Sequence, residues 1–167
     1  LLKVRAFTDS ETINRMLTPA LNYLEGELSK DYLQLKKQVK DYDKKMSINS
    51  FQLHVLAMRA QIKTTDSATS VNEAIAFYLG QTEQYHNKFG LYDKALAAVV
   101  LHHANKPVAV DAIIKSLKEN SIRSTDKGMY WSKNTSGYRW NERPISVQVK
   151  LMEAFNLVPG NETELAL

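Results

Sequence analysis

The run from Tyr92 to Ala104, with KALAAVVLHH at its centre, carries no polar side chain between Ala95 and Leu101. A helix with one wet side shows polar residues every three or four positions, so a helix apolar nearly all round has to be enclosed by other helices. This segment predicts the most buried element of a layered, all-helical domain. Its end is set by Asn105, Lys106 and Pro107, because the residue before a proline resists the α region.

The flanking segments supply the neighbours. Leu17, Leu21, Leu24, Leu28, Tyr32, Leu35, Val39 and Tyr42 recur in steps of three and four, the pattern of a helix with a single apolar stripe. Thr18 and Pro19 fit its N-cap and first helical position. The expected helix thus runs from Thr18 to about Lys44, near 40 Å at the usual rise, with a shorter one before it over Glu11 to Met16. A second helix begins near Ser47 and places Phe51, Val55, Met58 and Ile62 on one face and Leu53, Leu56 and Ala60 on another. Ser70 with Glu73 reads as a capping box for a third, with Val71, Ile75, Tyr78, Tyr85 and Phe89 as its stripe and Gly90 as its C-terminal stop. A fifth runs from Pro107 to Asn120 with Val110, Ile113, Ile114 and Leu117 inward, and a last one from Pro144 to Asn156. Short joints make successive helices antiparallel hairpins.

Between the last two helices lies an aromatic-rich stretch too long for a bundle turn: GMYW, SKNTSG, YRW and NERP. Alternating aromatics around Asn134 to Gly137 predict a small hairpin or extended excursion over Met129 to Trp140. Tyr130, Trp131, Tyr138, Arg139 and Trp140 have two readings. They cover the end of the helical stack, or they form a docking surface, since Tyr, Trp and Arg dominate interface hot spots.

Composition narrows the chemistry. With 44% apolar residues and 24% charged ones over 167 residues, the chain reads as one ordinary globular domain. No apolar run approaches the roughly 18 residues of a membrane span. Zero cysteines excludes disulfides, thiolate metal sites and cysteine nucleophiles within these residues. His102 and His103 diverge by about 100° as helix neighbours and cannot face one ligand, while His54 and His86 lack carboxylates at metal-ligand spacing. Asp126, Glu142 and Arg143 allow a carboxylate site in a cleft, but no spacing rule sets them face to face. Neither a catalytic, a metal nor a cofactor site is expected. Lys36, Lys37, Lys40, Lys44 and Lys45 read as a solvated face rather than a nucleic-acid surface, having no interleaved aromatics. The triplets at Asn134 and Asn161 match the glycosylation pattern, which arises often by chance.

Taken in order, FYLGQTEQY, GLYDKALAAVVLHHANKP, AIIKSLKENS and GMYWSKNTSGYRWNERPISVQVKLMEAF, with ALNYLEGELSKDYLQLKK before them, resemble the thioester-domain region of bacterial alpha-2-macroglobulins. The resemblance spans Leu17 to Phe155. It implies part of an α/α toroid in which inner and outer helices alternate, with the KALAAVVL helix inside. It also implies a parent that traps proteases when a bait region is cleaved, with an activated thioester in many members. That bond needs a Cys-x-Glu-Gln motif, which this chain lacks. The resemblance places the parent in the periplasm or cell envelope, exported and with any membrane anchor outside this stretch. The expected partners are its other domains and, through the full-length protein, target proteases. The start LLKVRAF and the end NETELAL suggest an excised, incomplete fragment. The alternatives are a general helical scaffold for protein interaction and a carbohydrate-active toroid enzyme.

Overall fold

The computed structural model describes residues 10–62, 68–126, 128–135, 137 and 143–158. These form helices α1 (Ser10–Gln38), α2 (Ser50–Gln61), α3 (Thr69–Tyr85), α4 (Leu91–His103), α5 (Pro107–Glu119) and α6 (Pro144–Leu157), and strands β1 (Ile122–Ser124) and β2 (Gly128–Tyr130). The all-α class expected from the sequence holds. Two compact units divide the chain, Leu1–Gln81 and Thr82–Leu167, the division falling inside α3.

In the first unit α1 is one helix, not two. Pro19 lies inside it instead of opening a new helix at Thr18. A proline there removes one backbone hydrogen bond at a cost of about 3 kcal/mol. Ile13, Leu17 and Leu21, all buried on one face, offset it, each contributing about 1.5–3 kcal/mol. The helix stops at Gln38, short of Lys44, because Asp41 takes a left-handed conformation at φ 55° and a 3₁₀ turn follows at Tyr42–Lys44.

Helix α2 starts at Ser50 behind a capping box. The Asn49 side chain accepts from the Phe51 N–H at 2.8 Å, and the Gln52 side chain accepts from the Asn49 N–H at 2.9 Å. Gln52 also donates to Asp31 on α1 at 3.1 Å, and Arg59 pairs with the buried Glu25. Since residue 25 meets 59 and residue 31 meets 52, α1 and α2 run antiparallel, as the short joint predicts.

The capping box expected at Ser70 and Glu73 is not the start of α3. The helix begins at Thr69, and the Ala68 carbonyl accepts from Val71 and Asn72. Tyr32, Tyr42, Phe77 and Tyr78 stack in this unit, with Tyr32 and Phe77 centroids 5.0 Å apart and Phe77 and Tyr78 5.1 Å apart. Burial pushes the Tyr32 and Tyr78 hydroxyls up to about 12, helped at Tyr32 by a hydrogen bond with Tyr42.

In the second unit α4 is the hub, packed on both α5 and α6. All seven residues from Ala95 to Leu101 are buried, as the apolar run predicts. Gly90 differs from expectation: at φ −65°, ψ 169° it is extended and stands as N-cap of α4, not as a left-handed stop for α3. A 3₁₀ turn at His86–Lys88 separates α3 from it. Helix α5 buries Val110, Ile113, Ile114 and Leu117, the four positions its period requires. Lys94 at the start of α4 reaches Ser116 near the end of α5 at 3.4 Å, so this pair is antiparallel too.

The ribbon lies earlier than the aromatic alternation suggested. Strand β2 pairs antiparallel with β1, with Ile122 opposite Tyr130, Arg123 opposite Met129 and Ser124 opposite Gly128. Gly128 has φ 65°, a left-handed position that glycine takes without steric cost.

Candidate functional site

The aromatic insert is built on the last turn of α5. A helix leaves its final carbonyls short of intrahelical donors; here the backbone N–H groups of Asn120 and Ser121 reach Ser116 and Lys118, and side chains add further donors. Asn120 donates from its side chain to the Ser116 carbonyl at 2.8 Å, and the Ser121 hydroxyl donates to that of Lys118 at 2.7 Å. The Trp131 indole N–H donates to that of Leu117 at 2.9 Å.

Trp131 follows β2 directly, and the ribbon register carries it under the helices. It is 3% exposed, with its ring centroid 6.2 Å from Phe155 of α6. One side chain therefore ties the end of α5 to α6. Met129 is buried beside it, and its carbonyl accepts from Gln148 at 3.3 Å. Tyr130 is half-buried. Tyr138, Arg139 and Trp140 lie outside the described residues, as does Glu142.

Beyond Trp131 the chain turns, the Asn134 N–H donating to the Trp131 carbonyl at 2.9 Å. The Asn134 amide then donates to the Pro144 carbonyl at 3.1 Å, fastening the insert to the first turn of α6, while its Oδ1 is buried with no hydrogen-bond partner among the described residues. A side chain held in this way is poorly placed to receive a glycan.

A groove of about 630 Å³ opens between this turn, the first turn of α4 and the last turn of α5. Trp131 and Val147 contribute to its lining, and Asp93, Lys94 and Lys133 bring charge. Tyr92 also lines it, its hydroxyl pushed up to about 12 by burial and by the carboxylates of Asp93 and Glu153. Asp93 is the one carboxylate among the described lining residues. Paired acid and base work on a glycosidic bond needs two facing carboxyl groups. Asp126, the other described candidate, is exposed in the ribbon turn.

The histidines are dispersed. His102 and His103 have ring centroids 5.7 Å apart at 80°. The His103 imidazole is held below its usual range by burial and by His102, and His86 by burial and by Lys94. His54 contacts the carbonyl of Ser50, one turn back on its own helix, at 2.6 Å. Among the described residues no group of three or more His, Cys, Asp or Glu could hold a metal ion, and no helix is long and apolar enough to cross a membrane.

Sequence reasoning missed the Asn134 tie and the Glu25–Arg59 pair. The first had a local signal, an asparagine within a turn, a position where its side chain readily bonds backbone. The second joins residues 34 apart in sequence and had none.

The described residues thus form a mostly helical module with one small ribbon, whose polar side chains cap helices and fasten segments to one another. A family model described as the A-macroglobulin TED domain matches residues 7–157, and the chain belongs to that family. No curated protein and no solved structure gives a match.

Proposed function

We propose that the chain is a non-catalytic helical module of a bacterial alpha-2-macroglobulin-like protease trap, acting through shape without a thioester of its own. The family match over residues 7–157 carries this reading. Two features support it. The 167 residues contain no cysteine, so they cannot supply the sulfur of a thioester. The groove offers one described carboxylate, Asp93, which favours a scaffold over the carbohydrate-active alternative.

The parent protein belongs in this reading to the periplasm or cell envelope, and the module's partners are its neighbouring domains. The aromatic insert is the surface assigned to them. Tyr130, Trp131, Tyr138, Arg139 and Trp140 are the residues we assign to that contact; of these, Tyr130 is half-buried and Trp131 is buried, and the other three lie outside the described residues. Proteases meet the module only through the whole parent.

A trap encloses its protease, so it blocks cleavage of large substrates and spares small peptides. Deleting this module from the parent should abolish that size discrimination. The isolated chain should neither inhibit a protease nor take up labelled methylamine, the nucleophile that opens thioesters. Inhibition by the isolated chain, or full trapping by the deleted parent, would overturn the assignment.

A further inference from the structure

The turn at the end of α1 holds most of the chain's excess charge. The whole chain carries +4, and residues 36–45, with five lysines less two aspartates, account for +3 of it. Lys36, Lys37, Lys40, Lys44 and Lys45 are all exposed. The helix dipole favours cations only within the last turn. That accounts for Lys36 and Lys37 but not for the three lysines beyond Gln38.

The backbone gathers these cations at one end of the helix. Left-handed Asp41 and the 3₁₀ turn fold the segment back until Tyr42 meets Tyr32, ring centroids 6.2 Å apart. The Lys36 ammonium sits 5.2 Å from the centroid of that same Tyr32 ring. Lys44 is paired with Asp41 at 3.4 Å. Among the described residues Lys37, Lys40 and Lys45 have no carboxylate partner. Leu33 and Met46, each 42% exposed, flank the group with apolar surface.

We propose that this lysine turn, with Leu33 and Met46, is a peripheral docking surface for an anionic lipid bilayer. The composition selects that partner. Every cation in the group is lysine, a compact point charge suited to a diffuse field of headgroups, where bidentate recognition of carboxylates favours arginine. The aromatic rings at this turn, Tyr32 and Tyr42, are engaged with each other and with Phe77, which among the described residues of the turn leaves no free ring for stacking on nucleic-acid bases. Leu33 and Met46 can enter the headgroup boundary, as the apolar side chains of interfacial helices do. This inference stands apart from the protease-trap reading.

The test is co-sedimentation of the 167-residue chain with phosphatidylcholine vesicles, with and without about 30% phosphatidylglycerol. Each uncompensated lysine near an anionic surface strengthens binding about fivefold, so the net three charges should raise partitioning about 100-fold over neutral vesicles. Salt at about 0.5 M should remove most of that gain by screening. The triple variant Lys37→Gln, Lys40→Gln, Lys45→Gln should lose about 100-fold with an unchanged thermal melt, since its sites are exposed. Leu33→Ser with Met46→Ser should remove the salt-resistant remainder. Equal binding to neutral vesicles or an unaffected triple variant would overturn the proposal, as would binding to duplex DNA or polyglutamate with vesicles left alone.

Discussion

Replacing Trp131 by alanine tests whether the aromatic insert is structural. The side chain is 3% exposed, donates to the Leu117 carbonyl at 2.9 Å and lies against Phe155. Truncating a buried tryptophan costs about 3–5 kcal/mol through lost burial and the cavity left behind. The carbonyl at the end of α5 loses its donor as well, about 1–3 kcal/mol if no water reaches it. For a chain of this size each kcal/mol lowers the melting temperature by roughly 2–4 °C. Trp131→Ala should therefore melt at least about 8 °C below wild type, followed by helical circular dichroism. Trp131→Phe separates the two contributions. It keeps most of the apolar volume and loses the donor, so its loss should be roughly a third to a half as large. Tyr130→Ala, at a half-buried position, should cost less than either. A Trp131→Ala chain melting within about 1 °C of wild type would refute the packing account and leave the indole only a role in contacts outside this chain.

Four further outcomes rest on other contacts of the fold. Arg59→Ala strips the buried Glu25 of its cation and should cost about 3–5 kcal/mol in urea unfolding, while Glu25→Leu with Arg59→Met should recover most of the loss. Asn49→Ala removes the cap of α2 and should cost about 0.5–2 kcal/mol, with faster amide exchange confined to the first turn. A methyl group added at Gly26 or Gly80 meets nothing within 4 Å, so Gly26→Ala and Gly80→Ala should each add about 0.5–1 kcal/mol. Tyr32, Tyr78 and Tyr92 hold their protons up to about 12 when folded, against about 10 when unfolded. The native state then binds more protons between those values, so the tyrosines' contribution to stability should be constant from neutral pH to about pH 10 and be lost as pH rises towards 12. Urea midpoints across that range measure it, and an alkaline plateau would contradict it.

Periodicity made the second unit readable. The stripe of α5 and the enclosed centre of α4 follow from spacing alone, because an amphipathic or an all-apolar helix has only one way to hide its surface. Ends were harder. Pro19 has the same local preference for a helix start whether or not a helix precedes it, and only the burial of Ile13, Leu17 and Leu21 decides for one continuous helix. Ser70 and Glu73 carry a valid capping pattern, but α3 already starts at Thr69. The first strand of the ribbon, Ile122–Ser124, has too few residues for an alternation to show. In the insert, aromatic content pointed to a special segment without saying that Trp131 would turn inward. That depends on the register of β1 against β2 and on an open carbonyl at the end of α5, neither of which has a local sequence signature.

The enclosure of α4 has a mechanical consequence. Its seven central residues, three of them alanines, are fully covered by neighbours whose side chains fill the space to near-crystalline density. Such a rod cannot roll or slide without opening voids along its flanks. A load applied to α5 is therefore passed through it to α6 with little give, so that this half of the chain answers force as a stiff block and yields first at its joints.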